Sequence, residues 1–315
     1  MLNILYNNLK IGAGLSSNKK LSIIILSYNT KSQTLDCLKS IFNMGTSPDC
    51  EVIVVDNGSI DDSVLAIKSL MPWVRFIENK ENLGFAKANN QAIRLAQGEY
   101  ILLLNSDTEA VDCAIKKTLN FMEKHPEIDA VTCRVELENG ELDQACHRGF
   151  PTPWASLCYY TKLDKIFPKS KFFGHYHQIY KSLSEPHEID TPSGCFYLIR
   201  KSTIDKVGLL DETYFFFGED VDWSYRIKQV GGKIYYYPYA KIIHYKGSSS
   251  GIKKETKDKT KASKETRIKS VNYFYDAMKI FYNKYYKKKY PFFVTWLVYA
   301  GIGIKRNISL WRLKV

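Results

Sequence analysis

Three groups of residues in this chain could do chemistry. Residues 100–108, YILLLNSDT, are an apolar run that ends in Asn105, Ser106 and Asp107. Residues 218–226, GEDVDWSYR, put Glu219, Asp220 and Asp222 at the start of a predicted helix, and His244 follows another apolar run. Carboxylates are hard oxygen ligands for a divalent cation, and a carboxylate tuned by burial or by its neighbours is a general base. An imidazole beside them is tolerated better by Mn²⁺ than by Mg²⁺. A strand that delivers a carboxylate at its end, with more acids later in the chain, predicts polar-ligand chemistry at one edge of a sheet.

Each group also has an ordinary structural use. Acids in the first turn of a helix are favoured by its dipole. Asp220 and Asp222 stand at i and i+2 and do not share a helix face, so one can face a cleft while the other caps the helix or pairs with Arg226. A lone histidine such as His244 is more often a core residue than a ligand.

The elements that must position these residues alternate. Apolar runs at 22–26, 52–55, 74–77 and 100–104 are continuous rather than period-2, as expected of parallel strands buried on both faces. Helical patterns fall near 31–43, 61–70, 85–97 and 110–124. Asp61 or Asp62 is expected to cap the second, and Gly98 to stop the third. This alternation predicts an α/β fold with a doubly wound, mostly parallel sheet. Three strands run into polar clusters at their carboxyl ends: Ser27, Tyr28 and Asn29; Asp56, Asn57, Gly58 and Ser59; and Asn105, Ser106 and Asp107. Any one cluster makes a good cap or turn, but ligands of open α/β sheets bind beyond the carboxyl ends of strands. Asp56 is placed to accept the N3–H of a pyrimidine base, and Tyr28 to cover the base or ribose. No GxGxxG or GxxxxGK[ST] pattern occurs, which argues against a dinucleotide cofactor or a P-loop nucleotide. Further strands are expected at 195–200, 233–237 and 240–245, loops around an acceptor cleft at 139–190, a mobile linker at 246–262 and a helix at 267–289.

The chain has 315 residues and a net charge of +12, and the charge is unevenly placed. From Lys253 onward there are 17 Lys+Arg against 4 Asp+Glu, a net +13, so the preceding body stands at −1. The tail also interleaves Tyr, Phe and Trp with Lys and carries an apolar run at 292–304, too short to span a bilayer. It is expected to lie at an anionic membrane surface; a helix packed on the body with a solvated basic face is the other reading. Nucleic acid is not an expected partner, because the body carries no module for it. The 7 cysteines are scattered and include no CxxC pair, so neither a disulfide framework nor structural zinc is expected. With no signal-peptide pattern at the start, the expected location is the cytoplasm.

Six segments in register carry a resemblance: SIIILSYN, VVDNGSIDDS, ENLGFAKANN, LLLNSD, SGCFYLIRK and GLLDETYFFFGEDVDWSYR. Over roughly residues 21–250 the chain resembles the inverting, GT-A fold glycosyltransferases of family 2, in the branch of bacterial rhamnosyltransferase-like enzymes. The resemblance implies a GT-A domain at 21–250 between an N-terminal extension (1–20) and a flexible loop with basic amphipathic helices (251–315). It implies that Ser27, Tyr28, Asn29 and Asp56 bind nucleotide and that Asn89 lies in the segment closing over the donor. Asn105, Ser106 and Asp107 match the metal motif, with Asn105 in place of its first aspartate. Asp220 matches the catalytic base, Glu219, Asp222 and Trp223 fall on the acceptor side, and His244 completes the metal site with Asp107. The implied cofactor is Mg²⁺ or Mn²⁺, and the implied donor a dTDP- or UDP-sugar. The implied acceptor is a glycan or lipid-linked saccharide at the inner membrane face, in surface polysaccharide synthesis. With neither a QxxRW motif nor membrane helices, addition of a single sugar is expected. Two other functions share some of these features. A sugar-nucleotide nucleotidyltransferase would carry a Gly-rich basic loop near the first strand, which SIIILSYNT lacks. A catalytically silent glycan-binding scaffold would turn over no donor.

Overall fold

The continuous apolar runs become the centre of a sheet because their residues are covered on both faces. Ile23, Ile24 and Ile25 are all buried in β1 (Lys19–Ser27), as are the last five residues of β2 (Cys50–Asp56). The computed structural model describes residues 19–43, 49–246 and 263–314. In chain order β1 is followed by α1 (Lys31–Asn43), β2, α2 (Ser63–Leu70), β3 (Arg75–Glu78), α3 (Phe85–Leu95) and β4 (Gly98–Asn105). Then come β5 (Thr108–Ala110), α4 (Ala114–Lys124), β6 (Ala130–Leu137), a 3₁₀ turn (Gln144–Cys146), α5 (Pro153–Thr161), α6 (Leu163–Ile166) and β7 (His187–Ile189). The rest is β8 (Phe196–Arg200), α7 (Lys201–Val207), α8 (Glu219–Gln229), β9 (Ile234–His244), α9 (Lys264–Tyr285) and α10 (Phe292–Lys314).

The sheet runs β3-β2-β1-β4-β8-β6-β9-β5, with β7 paired to β9. The first four strands are mutually parallel. β8 runs against β4, so its first residues lie beside the carboxyl end of β4. The α/β expectation is borne out, with helices on the sheet and two C-terminal helices beyond it.

Four local readings change. Gly98 does not stop α3, which ends at Leu95; it opens β4, where a Cβ would come within 2.5 Å of the Ser22 amide nitrogen. At the start of α2, Asp62 is left-handed (φ 59°) and makes no side-chain cap; Asp61 accepts the Ser63 amide instead. Residues 233–237 and 240–245 form one strand, β9, because the chain bulges around Pro238 while the pairing jumps from Tyr237↔Cys133 to Lys241↔Arg134. β6 was not expected, and the 139–190 stretch contains short helices and β7 as well as loops. Residues 1–18 of the expected extension and 247–262 of the expected linker lie outside the described residues.

The tail packs on the body, as the second of its two readings expects. α9 buries Ala277, Phe281 and Tyr282 against Tyr214 and Val221 of the body. α10 folds back on α9 through Tyr275–Ser309 (2.8 Å), Tyr282–Thr295 (2.9 Å) and the pair Arg306–Asp276 (3.0 Å). Its outer face leaves Phe293, Trp296, Leu297, Ile304, Ile308 and Trp311 exposed at helical spacing. No helix among the described residues is long and apolar enough to cross a membrane.

Candidate active site

Strand register aligns the predicted ligand ends. Ser27 pairs with Asp56 and Leu26 with Asn105, so all three polar clusters leave the same edge of the sheet. β2 and β4 flank β1, which puts Asp56 and Asn105 two strand spacings apart, about 10 Å.

At the β2 end, Asp56 is buried and its Oδ2 accepts the amides of Gly58 (3.2 Å) and Ser59 (2.8 Å). Gly58 makes this turn possible: its φ is +83°, and a Cβ would meet the Glu81 backbone at 2.8 Å. Asp56 Oδ1 is buried without a hydrogen-bond partner. Such an acceptor is costly to leave unpaired and suits an N–H donor from a ligand. Tyr28 is exposed and directly follows Ser27, the residue paired with Asp56 across the strands. The other expected nucleotide residues are engaged internally. Ser27 is fully buried in a hydroxyl cluster with Thr30 and Thr34, which Ser106 joins through Thr30 (3.2 Å). Asn29 ties two loops together, donating its amide to Ser59 Oγ and accepting from the Ile60 amide, both at 2.8 Å. Asn89 is buried and donates to the Phe85 carbonyl one turn earlier.

At the β4 end, antiparallel pairing of β5 with β9 sets His244 opposite Thr108, next to Asp107. His244 Nε2 lies 3.2 Å from Asp107 Oδ1, and its Nδ1 lies 3.3 Å from Asp143 Oδ2. Lys246 Nζ also reaches Asp143. Burial works against a charged imidazole here, but the charge of Asp107 and the bonds to both carboxylates raise His244 well above its ordinary range. Burial likewise opposes ionisation of Asp143, and His244 and Lys246 override it, holding the carboxyl far below the usual range. Cys195 Sγ, Asp143 and His244 present ligand atoms within 4.8 Å of one another. The Asp143 carboxylate and the His244 imidazole suit a divalent cation of the Mn²⁺ type, whereas the thiol is a softer donor than such an ion prefers; Asp107 meets the other imidazole nitrogen. Asn105 offers no charge; its backbone N–H donates to the Cys195 carbonyl (3.1 Å) and its backbone carbonyl accepts from the Thr108 hydroxyl (2.7 Å).

The acidic cluster divides. Phe217 (φ 72°) and Gly218 (φ 86°) are consecutive left-handed residues, and this sharp turn starts α8 at Glu219. Asp220 Oδ2 accepts from Arg148 (2.8 Å) and from the Gly194 amide (3.2 Å), while Oδ1 accepts the Val221 amide (2.8 Å). Asp220 therefore meets the segment leading into β8 at Gly194, one residue from Cys195 in the cluster around His244. Glu219 is buried and its Oε2 has no partner; desolvation first, and the charge of Asp220 second, push its carboxyl up to about 8. Asp222 and Trp223 offer no surface to an acceptor. Trp223 is fully buried and donates to the Gly208 carbonyl (2.8 Å). Asp222, also fully buried, binds Arg226 (2.8 Å), Lys284 (2.6 Å) and the Tyr285 hydroxyl (2.7 Å), so it anchors α9 to α8. Asp143 and Arg148, unremarked in the sequence, stand in an irregular stretch with no motif to flag them.

Comparison with known proteins agrees with this architecture. The family model "Glycosyl transferase family 2" matches residues 22–208, and the chain belongs to that family; it is a glycosyltransferase. It is 26% identical over 222 residues to the N-acetylglucosaminyl-diphospho-decaprenol L-rhamnosyltransferase of Mycobacterium tuberculosis, covering 66% of this chain and 71% of that protein. It is also 26% identical over 222 residues to the poly-beta-1,6-N-acetyl-D-glucosamine synthase of Staphylococcus epidermidis, covering 70% of this chain and 48% of that one. Among solved structures, the mannosyltransferase PcManGT from Pyrobaculum calidifontis, in complex with GDP-Man and Mn²⁺, superposes with a TM-score of 0.54 at 15% identity, covering 99% of this chain and 80% of that one. S. aureus TarS superposes with a TM-score of 0.52 at 17% identity, covering 73% of this chain and 37% of that one. These two likenesses speak for the fold, which is that of GT-A glycosyltransferases.

Proposed function

We propose that the chain is a metal-dependent, inverting glycosyltransferase that adds one sugar from a nucleoside diphosphate donor to a hydroxyl of a glycan or lipid-linked saccharide. The observation that carries this reading is the set of carboxylates on one sheet edge. Asp56 has an orphaned buried oxygen at the nucleoside end, Asp107 sits with His244 and Asp143 at the diphosphate end, and Asp220 accepts from Gly194, the neighbour of Cys195 just ahead of β8. Asp56 Oδ1 would accept an N–H of the base, with Tyr28 against the base or ribose. Asp107 and His244, with Asp143 as a further candidate, would hold a divalent cation, which when bound neutralises the departing diphosphate. Asp220 would take the proton of the acceptor hydroxyl as its oxygen bonds to the anomeric carbon and the bond to the diphosphate breaks on the opposite face, inverting the centre. Arg148 and the Gly194 amide fix the orientation of that carboxylate. The rhamnosyl and cell-envelope relatives make dTDP-rhamnose or a UDP-sugar the first donors to try and a lipid-linked saccharide the first acceptor. The exposed apolar face of α10 and the adjoining Lys287, Lys288 and Lys289 would hold the enzyme at an anionic inner membrane face.

The experiment is nucleoside diphosphate release from a panel of nucleotide sugars with Mn²⁺, with and without saccharide-lipid acceptors, in wild type and Asp220→Asn. Acceptor-stimulated release, at least about 100-fold lower in the variant while donor binding persists, is the expected result. Near-normal turnover by Asp220→Asn would refute the base assignment. Release of pyrophosphate in place of nucleoside diphosphate would point instead to sugar-nucleotide synthesis.

A further inference from the structure

Outside this edge, a second group of chemical residues meets in the 139–190 stretch. His147, immediately after the 3₁₀ turn, and His187, the first residue of β7, face each other with Nε2 atoms 2.6 Å apart. Their other nitrogens are committed. His147 Nδ1 lies 3.0 Å from the His177 carbonyl, and His187 Nδ1 lies 2.8 Å from the Glu185 carbonyl. A carbonyl oxygen only accepts, so both Nδ1 atoms carry the proton. In the neutral rings, both Nε2 atoms then present lone pairs to one another. Two converging lone pairs need a cation between them.

We propose that His147 and His187 form a binding site for a nitrogen-preferring divalent metal ion of the Zn²⁺ class, separate from the cluster at Asp107. Three observations support a metal over a shared proton. First, each Nδ1–H donates to a backbone carbonyl, the arrangement that orients metal-binding imidazoles and raises their donor strength. Second, His147 is buried, and burial pulls both imidazoles toward the neutral form that binds metal. Third, a cavity of about 340 Å³ opens beside His147, lined also by Glu141, Gln144 and His177, which leaves room for a further protein ligand or for water. Metal–nitrogen bonds of 2.0–2.1 Å in tetrahedral geometry place the two nitrogens about 3.3 Å apart, so the rings separate by under ~1 Å to admit the ion. The ring of Tyr236 meets His147 edge-on at 5.1 Å and His187 at 5.5 Å, backing the pair from β9.

The ion would close the 147–187 stretch onto β7. Its position follows from the chain order, because Arg148, the next residue after His147, holds the Asp220 carboxylate. The site is thus a staple for the segment that orients the proposed base.

The test uses the full-length protein, stripped with EDTA and titrated with Zn²⁺ by calorimetry at pH 7.5, with the visible spectrum of the Co²⁺-loaded form as a second readout. Wild type is expected to take up a Zn²⁺ at this pair, counted apart from any ion at the Asp107 cluster, and that uptake persists in Asp107→Ala. His187→Ala, at the half-exposed partner, is expected to weaken that uptake at least about tenfold and to lose the Co²⁺ d–d band while keeping the wild-type circular dichroism. His147→Ala is a second variant with the same expected loss. Zn²⁺ uptake abolished by Asp107→Ala, or uptake untouched by His187→Ala, overturns the proposal. So does wild type that binds no Zn²⁺ and shows only an imidazole proton titration, because a shared proton then fills the gap.

Discussion

Asp222→Ala tests whether this carboxylate is an anchor or an acceptor ligand. Asp222 is fully buried, and four groups converge on it: Arg226 Nε at 2.8 Å, Lys284 Nζ at 2.6 Å, the Tyr285 hydroxyl at 2.7 Å and the Tyr214 hydroxyl at 3.4 Å. Burial, together with the charge of Asp222, pushes the Tyr285 hydroxyl up to about 12, so it remains a donor at neutral pH. Removing one partner of a buried ion pair costs about 3–5 kcal/mol, because the remaining charge is left without compensation. Two features argue for the lower end. The Lys284 side chain is 34% exposed and can turn to water or to Asp211, and Arg226 keeps the carbonyls of Val207 and Leu209. A loss of about 3 kcal/mol corresponds to a drop in Tm of roughly 6–12 °C for a domain of this size. Thermal melts followed by near-UV circular dichroism measure it, and donor binding at low temperature should persist. Repeating the change in a Lys284→Met background should cost less, since the two residues are in contact. An Asp222→Ala protein that melts with wild type yet has lost transfer would refute the anchoring argument and return Asp222 to the acceptor side.

Three further outcomes are expected. Glu219 holds its proton in the folded state at pH values where the unfolded chain has lost it, so its contribution to stability is largest below the ordinary carboxylate range and falls as pH rises toward about 8; Glu219→Gln should flatten that slope in urea melts between pH 5 and pH 9, and an unchanged slope would count against the shift. Asp107→Ala should weaken Mn²⁺-dependent donor binding by about tenfold or more in calorimetry, whereas an unaltered Mn²⁺ titration would remove Asp107 from the metal site. Replacing Trp296 and Trp311 together with Glu should release the protein from phosphatidylglycerol vesicles in a sedimentation assay without moving its melting point; continued co-sedimentation would show that this face of α10 does not hold the membrane.

How much of this could be read in the sequence depended on how local the cause was. β1, β2 and β4 were legible because a strand covered on both faces needs a continuous apolar run, and their polar ends followed directly. β6 was missed because Arg134 and Glu136 interrupt its apolar pattern, pairing with each other at 2.7 Å. β9 looked like two strands because Pro238 suggested a break, while the sheet accommodates it as a bulge. Asp56, Asp107 and Asp220 stand in motifs legible in the sequence, whereas His244 is marked only by the apolar run before it. Asp143 and Arg148 stand in no motif, and their importance comes only from long-range pairing across 101 and 72 positions of sequence. The tail's charge was read as a surface property, but Lys284 turns inward to a buried carboxylate. Asp222 and Trp223, two and three positions after the proposed base, look in the sequence as functional as Asp220, and only packing separates them from it.

The four residues from Phe215 to Gly218 form a bracket among three parts of the molecule. The Phe215 carbonyl accepts the Phe85 amide at the start of α3 (2.7 Å), its ring stacks on Tyr273 of α9 at 4.5 Å, and Gly218 opens α8. This link can absorb changes of side chain far more readily than a change of length. One residue inserted between Phe215 and Glu219 would turn the following helix by about 100° and shift it about 1.5 Å along its axis. Asp220 would then swing off Arg148 and Glu219 would move into its slot, so among functional relatives this short stretch should keep its length even where its composition drifts.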